Sequence, residues 1–401
     1  MSKKLVQINV TCNGSTGRIM TQIQEEAIKR GWKAYSFYGR GKSANDNCIK
    51  IENKMDILFH VLITRIFDLH GYGSKRATKK MIKKIKEIDP DVIQLHNIHG
   101  YYLNVEMLFK YLKTCNKKIV WTLHDCWAFT GHCSYFTYPE CNKWKEKGCS
   151  KCPRKKEYPA SIFADNSKKA YEKKKQLFAG IKNLTLVTPS KWLKELVDYS
   201  FLRDYEVKVI NNGIDLNAFK PMKSIDIKEK YNIPKNKKLI LGVAAIWDRR
   251  KGLEDFVELS QKLDDSYMIV LIGLDKKQIE KLPSNIIGIN RTENIEELAC
   301  LYTVADVLFN PSKEESFSLV TVEAMACGTP VVVYKYTAPK ELIPNFACKV
   351  IENEKNMDEV KSSIDEVISQ KEEISLRLCQ HVQEKYDINK QIEKYMELFS
   401  K

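Results

Sequence analysis

Asn310-Pro311-Ser312-Lys313-Glu314-Glu315-Ser316-Phe317-Ser318-Leu319-Val320-Thr321-Val322-Glu323-Ala324-Met325-Ala326-Cys327-Gly328-Thr329-Pro330-Val331-Val332-Val333 reads as strand end, polar loop, helix, glycine stop and buried strand. The apolar run Val304 to Phe309 is short and rich in branched and aromatic residues, as a strand covered on both faces should be. Ser316 and Ser318 offer caps for a helix to about Cys327, which Gly328 and Pro330 end. A strand that delivers the chain through a polar loop to a helix N-terminus is where an α/β protein holds anions. Glu315 and Glu323 bracket that N-terminus. Eight residues of helix rise about 12 Å, too far for two carboxylates to share a proton. Glycosidase pairs sit roughly 5 to 9.5 Å apart. The pair suits the two ends of one long anionic ligand lying on the helix dipole. Spacing alone fits equally an acidic residue before a helix and a surface glutamate within it.

A chain of 401 residues is long enough for two domains of about 200. Its 43% hydrophobic and 29% charged content is that of a globular protein. The start, Met1-Ser2-Lys3-Lys4-Leu5, runs straight into a strand, and no run approaches 18 uninterrupted apolar residues. A cytoplasmic protein is expected, peripheral on the inner face of the cell membrane if its basic half docks there. Residues 1–200 carry 37 Lys+Arg against 18 Asp+Glu, a balance of +19, whereas the remaining residues hold 29 against 33, or −4. The two halves therefore meet different partners, and a basic face meets anionic lipid, nucleic acid or a phosphorylated substrate.

Along the chain, Lys4 to Val10 is a strand followed by Thr11-Cys12-Asn13-Gly14-Ser15-Thr16-Gly17-Arg18 and a helix to about Arg30. The glycines let backbone approach a ligand, but the full dinucleotide fingerprint is absent. Trp32 to Phe37 is a second strand, and residues 53–67 and 74–88 are helical, the latter lined with Lys75, Arg76, Lys79, Lys80, Lys83, Lys84 and Lys86. Such a basic amphipathic helix suits a membrane surface or is simply a solvated face. Strands at 91–95 and 118–123 end in His96-Asn97-Ile98-His99 and His124-Asp125, at the strand ends that face the ligand crevice of a parallel sheet. A basic helix covers about 161–180, and turn punctuation places the interdomain linker between about 198 and 222. Beyond it α/β alternation resumes, with Asp248-Arg249-Arg250-Lys251-Gly252 opening a helix after the strand Lys238 to Ala245. Three consecutive cations there suit phosphate, or are plain surface charge.

Within a segment at 126–158, Cys133, Cys141, Cys149 and Cys152 follow C-x₇-C-x₇-C-x₂-C. Four thiolates closing on a C-x-x-C knuckle fit a tetrahedral structural zinc site, the alternative being four unmetallated thiols.

Taken together, these positions resemble glycosyltransferase family 4, retaining sugar-nucleotide transferases of the GT-B architecture. The likeness rests on Glu315 to Glu323 within Ala305-Asp306…Pro311-Ser312…Gly328-Thr329-Pro330, supported by Gly14 to Gly17, His124-Asp125, Pro189-Ser190, Asn212-Gly213-Ile214-Asp215…Phe219…Pro221 and Lys251-Gly252. The cysteine-rich insert looks like a subgroup acting in capsular or other surface polysaccharide assembly.

The resemblance implies an α/β fold of two Rossmann-like domains facing across a cleft: residues 1–200 for the acceptor, 201–385 for the donor, and a C-terminal helix at 386–401 crossing back to the first. It implies a hexosyl transfer from a nucleoside-diphosphate sugar to a glycan or a polyprenyl-diphosphate-linked acceptor. Glu323 would take the ribose hydroxyls and Glu315 the sugar hydroxyls. The amides of Ser316, Phe317, Ser318 and Leu319 would receive diphosphate or sugar. Lys251, with Arg249 or Arg250, would neutralise the leaving group. His124 would contact the sugar, and Gly14, Thr16 and Gly17 would border diphosphate and acceptor. The family pattern puts an arginine six residues before the lysine; Ala245 stands there, so Arg249 or Arg250 is expected to substitute. No catalytic cofactor is expected, because no Asp-x-Asp cluster for a bridging Mg²⁺ lies near these residues. A nucleic-acid partner is not expected, since it would leave Glu315 and Glu323 without a role. A GT-B sugar-nucleotide epimerase or a non-catalytic sugar-nucleotide binder shares the outline.

Overall fold

Short runs of branched apolar residues, each followed by a helix, build two parallel sheets. The computed structural model describes residues 2–43, 45–51, 54–222 and 226–401. It divides into a first unit, Met1–Ile210 with Ile392–Lys401, and a second unit, Asn211–Gln391.

In the first unit the strands are β1 (Lys4–Thr11), β2 (Lys33–Arg40), β3 (Cys48–Lys50), β4 (Val92–Leu95), β5 (Lys118–Thr122), β6 (Leu184–Thr188) and β7 (Glu206–Val209). They pair in parallel in the order β3-β2-β1-β4-β5-β6-β7. The helices are α1 (Gly14–Lys29), α2 (Lys54–Phe67), α3 (Lys75–Ile88), α4 (Val105–Leu112), α5 (Lys143–Glu146), α6 (Ser167–Phe178) and α7 (Lys191–Asp198). Residue 53, where the second helix is expected to start, lies outside the described residues. Alternation along each strand splits the core between two faces. Val6, Ile8, Ile93 and Trp121 belong to one cluster, and Leu5, Val92 and Val120 to the other.

The second unit contains β8 (Lys238–Val243), β9 (Tyr267–Ile272), β10 (Ile286–Ile289), β11 (Val307–Asn310), β12 (Val331–Tyr334) and β13 (Lys349–Ile351). Its parallel sheet runs β10-β9-β8-β11-β12-β13. Its helices are α8 (Ile227–Lys230), α9 (Leu253–Ser260), α10 (Lys276–Ile279), α11 (Ile295–Val304), α12 (Leu319–Ala326), α13 (Pro339–Leu342) and α14 (Met357–Lys385). Leu239, Leu241 and Val270 face one core, Ile240, Ile269 and Leu271 the other. The strand expected from Val304 starts three residues later, because α11 runs through Val304 and Ala305 caps it.

After a break at Tyr386, α15 (Ile388–Ser400) ends the chain. Its last residues join the first unit, where Tyr395, Met396 and Phe399 complete a core cluster and Tyr395 Oη meets Thr122 Oγ1 at 3.1 Å. Among the described residues no helix is long and apolar enough to cross a membrane.

Candidate active site

The loop between β11 and α12 is knotted by one buried amide. Asn310 Nδ2 donates to Ser318 Oγ at 3.0 Å and to Thr321 Oγ1 at 3.1 Å, while its Oδ1 accepts from Ser312 N at 3.2 Å. Strand end, loop and first helical turn are thereby fixed together. The expected capping by Ser318 is not what forms. Ser318 occupies the N-cap position, makes no side-chain cap bond, and its Oγ instead accepts from Asn310 Nδ2 and Thr321 Oγ1, each at 3.0 Å. The Ser318 side chain thus leaves the positive end of α12 uncapped by itself.

Glu315 lies in this loop, four residues before the helix, so the rise of a continuous helix does not set its separation from Glu323, which sits on α12. Its backbone is held by Thr337 Oγ1, accepting from Glu315 N at 3.2 Å, and by Ala338 N, donating to Glu315 O at 3.3 Å. Its Oε1 forms an ion pair with Lys251 Nζ and accepts from Ser312 Oγ at 3.4 Å. Its Oε2 is buried and has no hydrogen-bond partner among the described residues. A buried carboxylate oxygen left unsatisfied costs roughly 1–3 kcal/mol or more, a cost that an incoming hydroxyl donor removes.

Asp248 shapes the basic loop. Its Oδ1 accepts from the amides of Arg250 at 3.0 Å and Lys251 at 3.2 Å, and its Oδ2 from the Arg250 guanidinium at 3.0 and 2.9 Å. Lys313 N donates to Arg250 O at 2.8 Å, joining this loop to the Glu315 loop. Gly252 allows the approach: it has φ +75°, and a Cβ there would stand 2.7 Å from Pro311 Cγ. Arg249 is 3.9 Å from Glu254, and both side chains are about three-quarters exposed, so this pair contributes little. Arg250 pairs with Asp248, and Ala245 is exposed on the strand-end loop. Glu323 is buried on α12, and its Oε2 accepts from Tyr302 Oη at 2.9 Å. Burial and the neighbouring Glu323 carboxylate push the Tyr302 phenol well up, so it remains a donor.

In the first unit the candidates gather at the C-terminal ends of β1, β4 and β5. Asn9 links them. Its Nδ2 donates to Thr16 Oγ1 at 3.3 Å and its Oδ1 accepts from Asn97 N at 3.2 Å. Gly17 has no room for a side chain, since a Cβ would lie 2.4 Å from the Cys12 carbonyl carbon; Gly14 has φ +74°. His124 Nε2 lies 3.0 Å from His96 Nδ1 with the rings stacked at 11°, while Asp125 Oδ2 lies 2.9 Å from His99 Nε2. His99 Nδ1 is in turn 3.1 Å from Tyr158 Oη. Sequence reasoning left His96, His99 and Tyr158 without roles; a second histidine pair at a neighbouring strand end was the available signal.

Burial pushes His124 down to about 4 and His96 well below its ordinary value. Burial likewise takes His60 to about 4 and His70 well down. For Asp125 burial acts upward, but His99 prevails and the carboxyl is lowered. These four histidines are neutral when folded, whereas unfolded ones take up protons below about pH 6.5. Their depressed values contribute stability that is present above about pH 6.5 and is lost as pH falls toward 4. His132, raised by Asp68 against the effect of burial, acts in the opposite direction. The melting temperature should therefore drop by several degrees between pH 7 and pH 5; a flat profile would contradict the buried neutral cluster.

The expected zinc site at Cys133, Cys141, Cys149 and Cys152 is without support in the structure. Among the described residues no group of three or more His, Cys, Asp or Glu is arranged to hold a metal. The neighbouring Cys133 and Cys152 thiols act on each other, Cys133 being pushed well up and Cys152 held down to about 7. Cys149 Sγ accepts from Gly131 N at 3.1 Å, and Cys141 packs against the core that contains Trp144. Buried Lys174 stabilises the same region, donating to the carbonyls of Trp127 at 2.8 Å and Thr130 at 3.0 Å. Local packing and donor bonds satisfy this segment.

Residues 223–385 match the family described as Glycosyl transferases group 1. The chain is 24% identical over 382 residues, 90% of its length and 91% of the relative's, to a putative colanic acid biosynthesis glycosyl transferase, WcaC, of Escherichia coli K12. In fold it is similar to a sucrose-phosphate synthase from Thermosynechococcus elongatus, with a TM-score of 0.73 at 15% identity, covering 99% of this chain and 98% of the other. It is also similar to Anabaena HepE in complex with UDP-glucose, with a TM-score of 0.66 at 15% identity over 99% of both chains. The fold is the α/β, doubly Rossmann-like one of GT-B proteins, and the chain is a glycosyltransferase.

Proposed function

We propose that this glycosyltransferase moves a hexose-type sugar, with retention, from a nucleoside-diphosphate sugar to a hydroxyl of a glycan or polyprenyl-diphosphate-linked acceptor in bacterial surface polysaccharide synthesis. One observation carries the reading: the buried Glu315 Oε2, without a hydrogen-bond partner among the described residues, belongs to the carboxylate paired with Lys251 just before α12, whose start Ser318 does not cap. Glu315 takes hydroxyls of the donor sugar, and Glu323, oriented by Tyr302, takes those of the ribose. The amides at Ser316, Phe317, Ser318 and Leu319 receive the diphosphate, whose departing charge Lys251 stabilises. Asp248 holds Arg250 as a positioning residue for that lysine, which leaves the exposed Arg249 as the cation able to swing toward phosphate. In the first unit neutral His124, aligned by His96, contacts the sugar, and Gly14, Thr16 and Gly17 border diphosphate and acceptor. The leaving diphosphate takes the acceptor proton on the face where the new bond forms, so no enzyme nucleophile is needed. A UDP-glucose-bound relative in fold and a colanic acid relative in sequence support donor class and pathway class. The basic first half supports an acceptor carried at an anionic membrane surface.

The test is a thermal-shift screen of UDP-, GDP- and ADP-sugars followed by mass spectrometry of products with lipid-linked acceptors. Stabilisation by a nucleotide sugar and a mass gain of one hexosyl unit are expected. Isomerised free sugar nucleotide with no acceptor product would replace the reading with an epimerase. Tyr302→Phe removes the donor to Glu323 and should raise the KM for donor roughly three- to tenfold with little change in kcat, as loss of uniform binding does. An unchanged donor KM would detach Glu323 from the nucleotide.

A further inference from the structure

Helix α2 is built inside out. It buries its polar His60 and Thr64 and exposes Leu58, Phe59 and Leu62, more than half of each side chain reaching solvent. The buried pair has structural work: His60 Nδ1 meets Ser74 Oγ at 3.0 Å, its Nε2 accepts from Gly71 N at 2.9 Å, and Thr64 Oγ1 donates to His60 O at 2.8 Å. The exposed residues follow i, i+1 and i+4, so they form one stripe along the helix. A second segment extends it. Ile162 N donates to Arg65 O at 2.8 Å and Ala164 N to Ile66 O at 3.1 Å, which fixes Ile162 and Phe163, 60% and 72% exposed, alongside the end of α2 and exposed Phe67.

Cations frame this apolar face. Lys54 and Arg65 are exposed on α2 itself, and Lys155 Nζ donates to Phe163 O at 3.0 Å. Asp56 Oδ2 accepts from Ala77 N at 3.0 Å, tying α2 to α3, whose Lys75, Arg76, Lys79, Lys80, Lys83 and Lys84 are all exposed. A water-facing stripe of large apolar side chains framed by lysine and arginine matches the acyl boundary and the headgroups of an anionic bilayer at once.

We propose that α2 and the Ile162–Phe163 loop insert into the interfacial layer of an anionic membrane, with α3 and Arg65 on the phosphates. The inference rests on the membrane reading above and deepens it. Charge on α3 gives attraction, whereas α2 gives depth, and depth resists salt. The apolar contact survives screening that removes headgroup attraction.

The test is cosedimentation of the full chain with phosphatidylcholine vesicles containing phosphatidylglycerol, at low and high salt. A Leu58→Asp/Phe59→Asp variant should bind about tenfold or more weakly, and should lose the fraction that wild type retains at high salt. A Phe59→Trp variant should gain emission quenched by brominated acyl chains, above the background of the six native tryptophans. Wild-type binding that high salt abolishes and Leu58→Asp/Phe59→Asp leaves intact would overturn insertion and leave electrostatic docking standing. No binding of wild type to anionic vesicles would overturn both. Self-association reversed by Leu58→Asp/Phe59→Asp, with no vesicle binding, would overturn the proposal in favour of a protein interface.

Discussion

Glu315→Gln is expected to lower kcat about 10³-fold while the protein still folds and still binds nucleotide. The main chain at this position keeps its bonds to Thr337 and Ala338, and Gln fills the same volume, so the melting temperature should move by only a few degrees. Both oxygens of the carboxylate lose their function, however. Oε1 no longer neutralises Lys251, and Oε2, buried without a partner, is replaced on one rotamer by an amide that offers donors where a sugar hydroxyl would donate. The loss should fall on kcat more than on the KM for donor, because the nucleotide is gripped elsewhere. Steady-state transfer to a lipid-linked acceptor measures this. Turnover within a few fold of wild type would remove Glu315 from the reaction.

The alternation of strands and helices was legible because fully buried parallel strands are continuous apolar runs, and Val307–Asn310, Val331–Tyr334 and Lys238–Val243 are among the plainest in the chain. Glu315, Glu323 and Lys251 were legible because a strand-to-helix loop carries its ligand groups close together in sequence. Long-range pairing was not legible. Nothing in local spacing says that Asp125 turns to His99, or that Tyr302, 21 residues away, orients Glu323. Ser318 shows why a cap is misread: a hydroxyl at the N-cap position is spent sideways when a buried Asn310 competes for it. The cysteine spacing suits a metal, but spacing does not say whether the four side chains converge: among the described residues no three ligating groups do, and Cys149 Sγ accepts from Gly131 N. Helix α2 was predicted as a helix, yet its polarity reversal is a tertiary property, set by His60 serving Ser74 and Gly71.

Lys251→Met tests the other half of the ion pair, and its sign on product binding should be opposite to that of Glu315→Gln. In the wild type, Lys251 is neutralised by Glu315 before any ligand arrives, so its charge is shared between the carboxylate and an incoming diphosphate. Glu315→Gln frees the ammonium and removes a negative charge from the anion site, so free nucleoside diphosphate should bind severalfold tighter. Lys251→Met removes the cation and leaves Glu315 uncompensated in a largely buried position, so nucleoside diphosphate should bind at least tenfold weaker and kcat should fall about 10²- to 10³-fold. The Lys251→Met/Glu315→Gln double variant should lose no more turnover than the worse single change, because each single change already disables a unit that works as a pair. Its affinity for nucleoside diphosphate should lie between those of the two single variants, since one change subtracts attraction and the other repulsion. Calorimetric titration of the three variants with nucleoside diphosphate reads these signs directly. Tightening in Lys251→Met, or fully additive losses of turnover in the double variant, would mean that the pair holds the loop together and does not face the diphosphate.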